Sequence, residues 1–258
     1  MPDLRPVIPA ATLVLMRPGA QAPELLAMER AGKMAFAPGA IVFPGGRIDP
    51  DDYVLAERIG GGLEHAAARI TAIRETIEEV GIAAGFAIAP AAERVPALRS
   101  ALSAGEPFSA LLERFGLTLD LAALTPFAHW CPPNNPVRRF DTLFFVAEAA
   151  PDADPPQADQ FEAVHSFWAS ARHILDEADA GRLTIIFPTR RNLERLAQFS
   201  NIEEARADAA AHPLQLIETY IEERDGERWL CIPEGLGYPV TAQRIATVRR
   251  GWESDRQS

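Results

Sequence analysis

The sequence predicts an α+β (mixed α/β) domain, and three observations carry that expectation. Short apolar runs open the chain, a helix-period pattern follows a paired-glycine turn, and strand and helix signals then mix to the end with no internal repeat. Residues 12–16 and 24–30 flank Arg17-Pro18-Gly19-Ala20, which is the pattern of two strands joined by a turn. Ile41-Val42-Phe43 reads as a third strand running into Pro44-Gly45-Gly46, where paired glycines allow backbone angles and close approach that a side chain would block. Residues 49–62 are a polar, acidic stretch ending in three glycines. From 63 to 80 the period changes: Ala66, Ile70, Ile73 and Ile77 recur at three- and four-residue spacings, the buried stripe of an amphipathic helix capped at Gly81.

Residues 91–124 read as helical, interrupted at Glu106-Pro107, and residues 142–147 as a buried strand after the Pro132-Pro133-Asn134-Asn135-Pro136 loop. A loop over 151–158 leads to a strand ending near Trp168. Helical patterns follow over 170–180, 189–199 and 203–211, and a polar tail closes the chain.

Composition bounds the function. A chain of 258 residues, 48% hydrophobic and 24% charged, is that of a globular protein with a sizeable core. The apolar run from 10 to 16 falls far short of the roughly 20 residues a membrane-spanning helix needs, and no basic segment precedes a signal-like core, so the expectation is a soluble, unprocessed protein. Cys131 and Cys231 stand far apart, which suggests neither a disulfide framework nor a zinc site and fits a reducing cytoplasm. A net charge of −11 argues against nucleic acid or an anionic membrane as partner. Positive contacts to an anionic ligand must then be local, with Arg138-Arg139 and Arg190-Arg191 as candidates. A homodimer stays open.

The chemistry concentrates at Glu75, Glu78 and Glu79. Separations of three and four place Glu75 beside both others on one helix face. Three crowded carboxylates repel one another unless a hard divalent cation takes them as oxygen ligands; an acidic solvated face is the bland alternative. Arg74 can pair with Glu78 at i,i+4. Histidines 65, 129, 165, 173 and 212 are scattered, and neither a Gly-x-Ser-x-Gly elbow nor a His-Glu-x-x-His pair occurs.

With the Phe43-Pro44-Gly45-Gly46 turn, the run Arg74-Glu75-Thr76-Ile77-Glu78-Glu79-Val80-Gly81-Ile82 resembles the Nudix signature: Gly, five residues, Glu, seven residues, Arg-Glu, an aliphatic residue, any residue, Glu-Glu, any residue, Gly and an aliphatic residue. Thr76 holds the usually aliphatic position. The first half departs from the pattern, because eight residues before Arg74 stands Ala66 where the signature has Glu, and residues 49–62 form an insertion. Glu64 lies near enough to offer a substitute contact. A split signature also marks the peroxisomal-type coenzyme A and acyl-coenzyme A diphosphatase branch, which the chain resembles at 42–49, 69–75 and 138–145 and on through Glu162, Trp168 and 190–199. Asp255-Arg256-Gln257-Ser258 is unlike a Ser-Lys-Leu type tripeptide, so no peroxisomal address is expected.

The resemblance implies a Nudix fold, a central mixed sheet between helices, over residues 8–200, with a helical insertion at about 91–124 and a helical extension and tail over 201–258. It implies Mg²⁺ or Mn²⁺ held chiefly by Glu75 and Glu79. Glu78 becomes a further ligand or the partner of Arg74, and the Gly45 carbonyl completes the shell. Glu162 becomes a metal contact or water-activating base. Gly45, Gly46 and one of Arg138 and Arg139 would meet the substrate, and Trp130 or Phe140 could stack on an adenine, although aromatics beside strands more often belong to the core. The implied reaction is cleavage of coenzyme A or acyl-coenzyme A at the diphosphate, to 3′,5′-ADP and a 4′-phosphopantetheine product. An NADH or ADP-ribose hydrolase and a non-catalytic nucleotide-binding module are the competing readings.

Overall fold

The computed structural model describes residues 6–32, 37–132, 139–150, 153, 156–159 and 163–248. Its main sheet is built from β1 (Val7–Arg17), β2 (Glu24–Arg30), β3 (Ala40–Val42), β4 (Gly45–Arg47), β5 (Thr125–Trp130), β6 (Arg139–Glu148), β7 (Ala163–Ser170), β8 (Thr184–Ile185) and β9 (Leu216–Ile217). The strand order is β8-β3-β2-β1-β6-β5-β9, with β4 added to β1 and β7 to β2. β1 runs parallel to β6 over ten residue pairs and antiparallel to β2 and β4, so the sheet is mixed.

Both faces of this sheet are covered. In β1, Leu13 and Leu15 point into one apolar cluster while Val14 and Met16 point into the other, which is why the strand reads as a continuous apolar run. The first cluster contains Ile70, Ile73 and Ile77 of α2 (Ala66–Val80), with Leu98 of α3 (Val95–Ser103) and Leu111 of α4 (Phe108–Phe115). The second packs α5 (Ala171–Asp179), α6 (Phe187–Leu196) and α7 (Ile202–Ala211) on the opposite face through Ile174, Leu193 and Ile202. The break at Glu106-Pro107 divides α3 from α4, as the sequence indicates. Trp130, fully buried in the second cluster and donating to the Tyr238 hydroxyl, belongs to the core and is not a platform for adenine.

α2 begins three residues later than its periodic pattern. A turn bonds the Leu63 N–H to the Gly60 carbonyl at 2.7 Å, and His65, at φ 59°, stands in the left-handed region ahead of the first helical residue. The helix stops at Gly81, φ 70°, a conformation that a residue without Cβ adopts at little cost.

Two stretches differ from the sequence reading. The acidic insertion contains a helix, α1 (Pro50–Ile59), started by a capping box in which Asp49 and Asp52 serve each other's end of the first turn, with proline at its first position. It packs alongside α2. The segment read as a polar tail contains a three-stranded sheet of β10 (Tyr220–Arg224), β11 (Glu227–Cys231) and β12 (Ala242–Arg244). Its first hairpin turns on Asp225-Gly226, both at positive φ, a strong local hairpin signal that the exposed, charged character of β10 hides from a hydrophobicity reading. Among the described residues, no helix is long and apolar enough to cross a membrane.

The packing of α2 gives a direct test. Ile77→Ala removes a fully buried side chain between helix and sheet and is expected to lower the unfolding free energy in urea by about 2–5 kcal/mol. Ile88→Ala, at a site 83% exposed, should change it by less than about 0.5 kcal/mol.

Candidate active site

The glutamates occupy the last turns of α2, where the helix dipole disfavours negative charge, and the last turn itself holds no basic residue. The final carbonyls are instead capped from outside. Arg99 of α3 donates to the carbonyls of Glu78 and Glu79 at 2.9 and 2.8 Å, and the backbone N–H groups of Gln157 and Asp159 donate to the carbonyls of Val80 and Glu79. Burial pushes the Arg99 pKa down, against the pull of Asp159 and Glu78. A neighbouring helix and a loop thus fix an acidic helix end that α2 would not hold by itself.

β4 supplies the wall opposite these side chains. The Gly45 N–H donates to Glu79 Oε2 at 2.8 Å. A Cβ on Gly45 would lie 2.4 Å from the Ala11 carbonyl oxygen, and one on Gly46 would lie 2.3 Å from Glu75 Oε1. The first glycine is therefore required by the neighbouring strand, whereas the second leaves room for the Glu75 carboxylate. Arg47 exposes its side chain immediately after them.

Arg74 ties the site together. Its Nη1 meets Glu75 Oε1 at 2.8 Å and Glu78 Oε2 at 3.5 Å, the i,i+4 contact expected from the sequence. Its Nη2 meets Asp52 Oδ2 at 2.9 Å and donates to the Arg47 carbonyl at 3.1 Å. Burial works against the charge of Arg74, but the hydrogen bond to Asp52 and the charges of Glu75, Asp52 and Asp49 outweigh it and raise its pKa.

Asp52 is the residue that sequence reasoning missed. Glu64, read as the substitute for the signature carboxylate absent at Ala66, is 84% exposed and pairs with His65. Ala66 itself is pressed against Gly60, whose added Cβ would lie 2.9 Å away. The carboxylate that reaches Arg74 comes from the first turn of α1, and its place after Gly46 and five further residues, the spacing the signature gives its first acid, was the signal for it; the extra residues lie between Asp52 and Arg74.

The expected substrate contacts fall in different places. Arg138 and Glu162 lie outside the described residues. Arg139 opens β6 and forms an ion pair with Glu218 while donating to the Cys131 carbonyl. Asp141 pairs with His129 at 2.5 Å. That pair is not a scattered histidine: register links Gly46, Ala11, Leu143 and His129 in one row across four strands, which sets His129 about 14 Å from Gly46 on the α2 side. Arg190 and Arg191 do not reach the glutamates, because α6 packs on the other face of the sheet. Arg190 pairs there with Asp179 and Glu194, and Arg191, 2% exposed, with Glu194.

Among the described residues, no three His, Cys, Asp or Glu side chains form a ready-made cation cage. The donor set nevertheless suits a hard divalent ion, since it offers carboxylate oxygens on one helix face and a glycine-lined space that a Cβ would fill.

No family model matches the sequence. The chain is 26% identical to an acyl-coenzyme A diphosphatase of Gallus gallus, covering 85% of this chain and 76% of the relative. It is 25% identical to the human protein of that name, covering 79% and 68%. A solved Nudix hydrolase from Alicyclobacillus acidocaldarius is 32% identical and superposes with a TM-score of 0.70, covering 80% of this chain and 97% of that one. For a hydrolase with this geometry, Gly46→Ala is expected to keep the fold, displace Glu75 and lower turnover by about 10²-fold, read from steady-state rates beside an unchanged circular dichroism spectrum. The identity over nearly the whole of a solved relative, with the same fold and the Arg74 to Val80 segment on its helix, establishes that this chain belongs to the Nudix hydrolase family.

Proposed function

We propose that the chain is a divalent-metal-dependent diphosphatase that cleaves coenzyme A or acyl-coenzyme A to 3′,5′-ADP and the corresponding 4′-phosphopantetheine. The observation that carries the metal-dependent chemistry is the placement of Glu79 and Glu75 against the wall made by Gly45 and Gly46, with Glu78 on the same helix and paired with Arg74. Similarity over most of the chain to acyl-coenzyme A diphosphatases supports the substrate class.

In this reading Glu75 and Glu79 are the principal ligands and Glu78 the third. Mg²⁺ or Mn²⁺, when bound, supplies the positive charge that neutralises the diphosphate oxygens as the bond breaks. The protein's own groups set the geometry. Gly45 N–H orients the Glu79 carboxylate, Arg74 orients that of Glu75, and Gly46 leaves room beside it. A polyanion could approach a protein of net charge −11 because a divalent cation held by these glutamates would offset their charge. In this reading phosphate recognition falls to Arg139, which would exchange its pairing with Glu218 for the substrate, and to the exposed Arg47 of β4, a task suited to a bidentate guanidinium.

Glu75→Gln or Glu79→Gln is expected to leave the circular dichroism spectrum unchanged and lower turnover by on the order of 10² or more. Wild-type rates in the folded double variant would remove the metal assignment. The substrate is tested by mass spectrometry of products from equal concentrations of coenzyme A, dephospho-coenzyme A, NADH and ADP-ribose, with Mg²⁺ and with Mn²⁺. Coenzyme A is expected to be cleaved about ten- to a hundredfold faster than its dephospho form, the margin of one charge-assisted phosphate contact. Faster cleavage of NADH or ADP-ribose would refute the coenzyme A reading and leave the diphosphatase standing.

A further inference from the structure

The geometry points to a second anion site on the same face of the sheet: His129, braced by Asp141 and flanked by Arg139, takes the 3′-phosphate of the coenzyme A moiety. This deepens the coenzyme A reading proposed above and rests on it.

Strand register brings the three side chains together. Residues 139, 141 and 143 of β6 alternate onto the α2 side of the sheet, and Leu143 lies opposite His129 of β5. His129 Nε2 meets Asp141 Oδ1 at 2.5 Å, and both side chains stay partly open, 22% and 35% exposed. Arg139 forms its ion pair with Glu218. Each of the two groups that can carry positive charge is therefore held in place by one carboxylate.

The sheet surface between this cluster and the glutamates is short and open. Asp141 lies opposite Pro9 of β1, whose carbonyl accepts from the Ile48 N–H at 3.1 Å. Pro9 is exposed, and the residue after Ile48 is Asp49, whose carboxylate stands 3.6 Å from Arg74. Two strand spacings, about 10 Å, thus separate the edge of the Arg74 site from Asp141. In coenzyme A one ribose joins the diphosphate to the 3′-phosphate, so a ligand gripped by its diphosphate at Glu75 and Glu79 can carry its other phosphate to this end of the sheet.

The donors suit that group. Among the described residues only Nε2 of the His129 ring is engaged, which leaves Nδ1 for a ligand. With Nε2 donating to Asp141, a proton on Nδ1 makes the ring a cation between two anions, the carboxylate and the phosphate. Arg139 adds a guanidinium, which can donate two parallel bonds to phosphate oxygens. A further basic group stands near: burial lowers the His65 pKa against the pull of Glu64, and the charges of His129 and Arg69 lower it further, which marks His65 as a neighbour of the pair. Positive groups therefore gather at one end of an acidic molecule, where NADH and ADP-ribose have no phosphate to place.

A brace between β5 and β6 would predict something else, because its loss would affect every adenine nucleotide alike. The test is calorimetric titration of the whole chain with 3′,5′-ADP and with 5′-AMP, which differ only in the 3′-phosphate. His129→Gln, which keeps a hydrogen-bonding side chain and removes the charge, is expected to weaken 3′,5′-ADP about tenfold and leave 5′-AMP within about twofold. Equal weakening of both nucleotides, or no change in either, would overturn the inference. If His129→Gln does not fold, Asp141→Asn decides in its place: a loss of about threefold or more confined to 3′,5′-ADP supports the inference, and any other result overturns it. Wild-type protein that cleaves coenzyme A but binds the two nucleotides alike would overturn this inference alone, whereas wild-type protein that cleaves no coenzyme A would overturn the reading on which it rests.

Discussion

One guanidinium, buried among carboxylates, is the constraint around which this site is organised. Arg74 touches Asp52 on one edge and Glu75 and Glu78 on the other, and bonds the carbonyl of Arg47 as well. Because burial removes solvent screening, its position dictates where α1, β4 and the end of α2 must lie. The Phe-Pro-Gly-Gly turn and the acidic helix are far apart in sequence terms, yet they meet through this residue and through the Gly45 to Glu79 hydrogen bond.

The acidic end of α2 shows how function is reconciled with stability. Carboxylates near a helix C-terminus oppose its dipole, and they crowd one another. A chain selected for stability alone would carry basic residues there. Here the positive charge and the donors are delivered by Arg99 from α3 and by backbone N–H groups of a later loop, so the helix end stays acidic and stays folded. The helical segment over 91–124 thereby serves the site without lining it.

Much of this was legible in the sequence where the signal is periodic or local. The stripe of Ile70, Ile73 and Ile77, the glycine cap at 81 and the Glu75-Glu78-Glu79 face each follow from spacing on one helix. What escaped depended on contacts between distant elements. Asp52 keeps the signature's spacing from Gly46, but the residues inserted between it and Arg74 hide the match when the count runs back from Arg74, and its pairing with Arg74 exists because α1 packs beside α2. The pairing of Asp141 with His129 follows from strand register, which sequence does not display. Trp130 illustrates the reverse: an aromatic beside a strand was open to either role until the second apolar cluster enclosed it.

The parallel pairing of β1 with β6 has a consequence for how the molecule is made. Val7 lies opposite Arg139, roughly 130 residues later, so the central strand of the sheet leaves the ribosome long before its principal neighbour exists. Until then its near side can be covered only by local partners: the hairpin with β2, the short strand β4, and the α1 and α2 pair. The contacts that can assemble first are those around Arg74, whose sequence separations are short, and closure of the long loop comes after them. The buried ion pair that shapes the site thus joins only elements that are synthesised before β6.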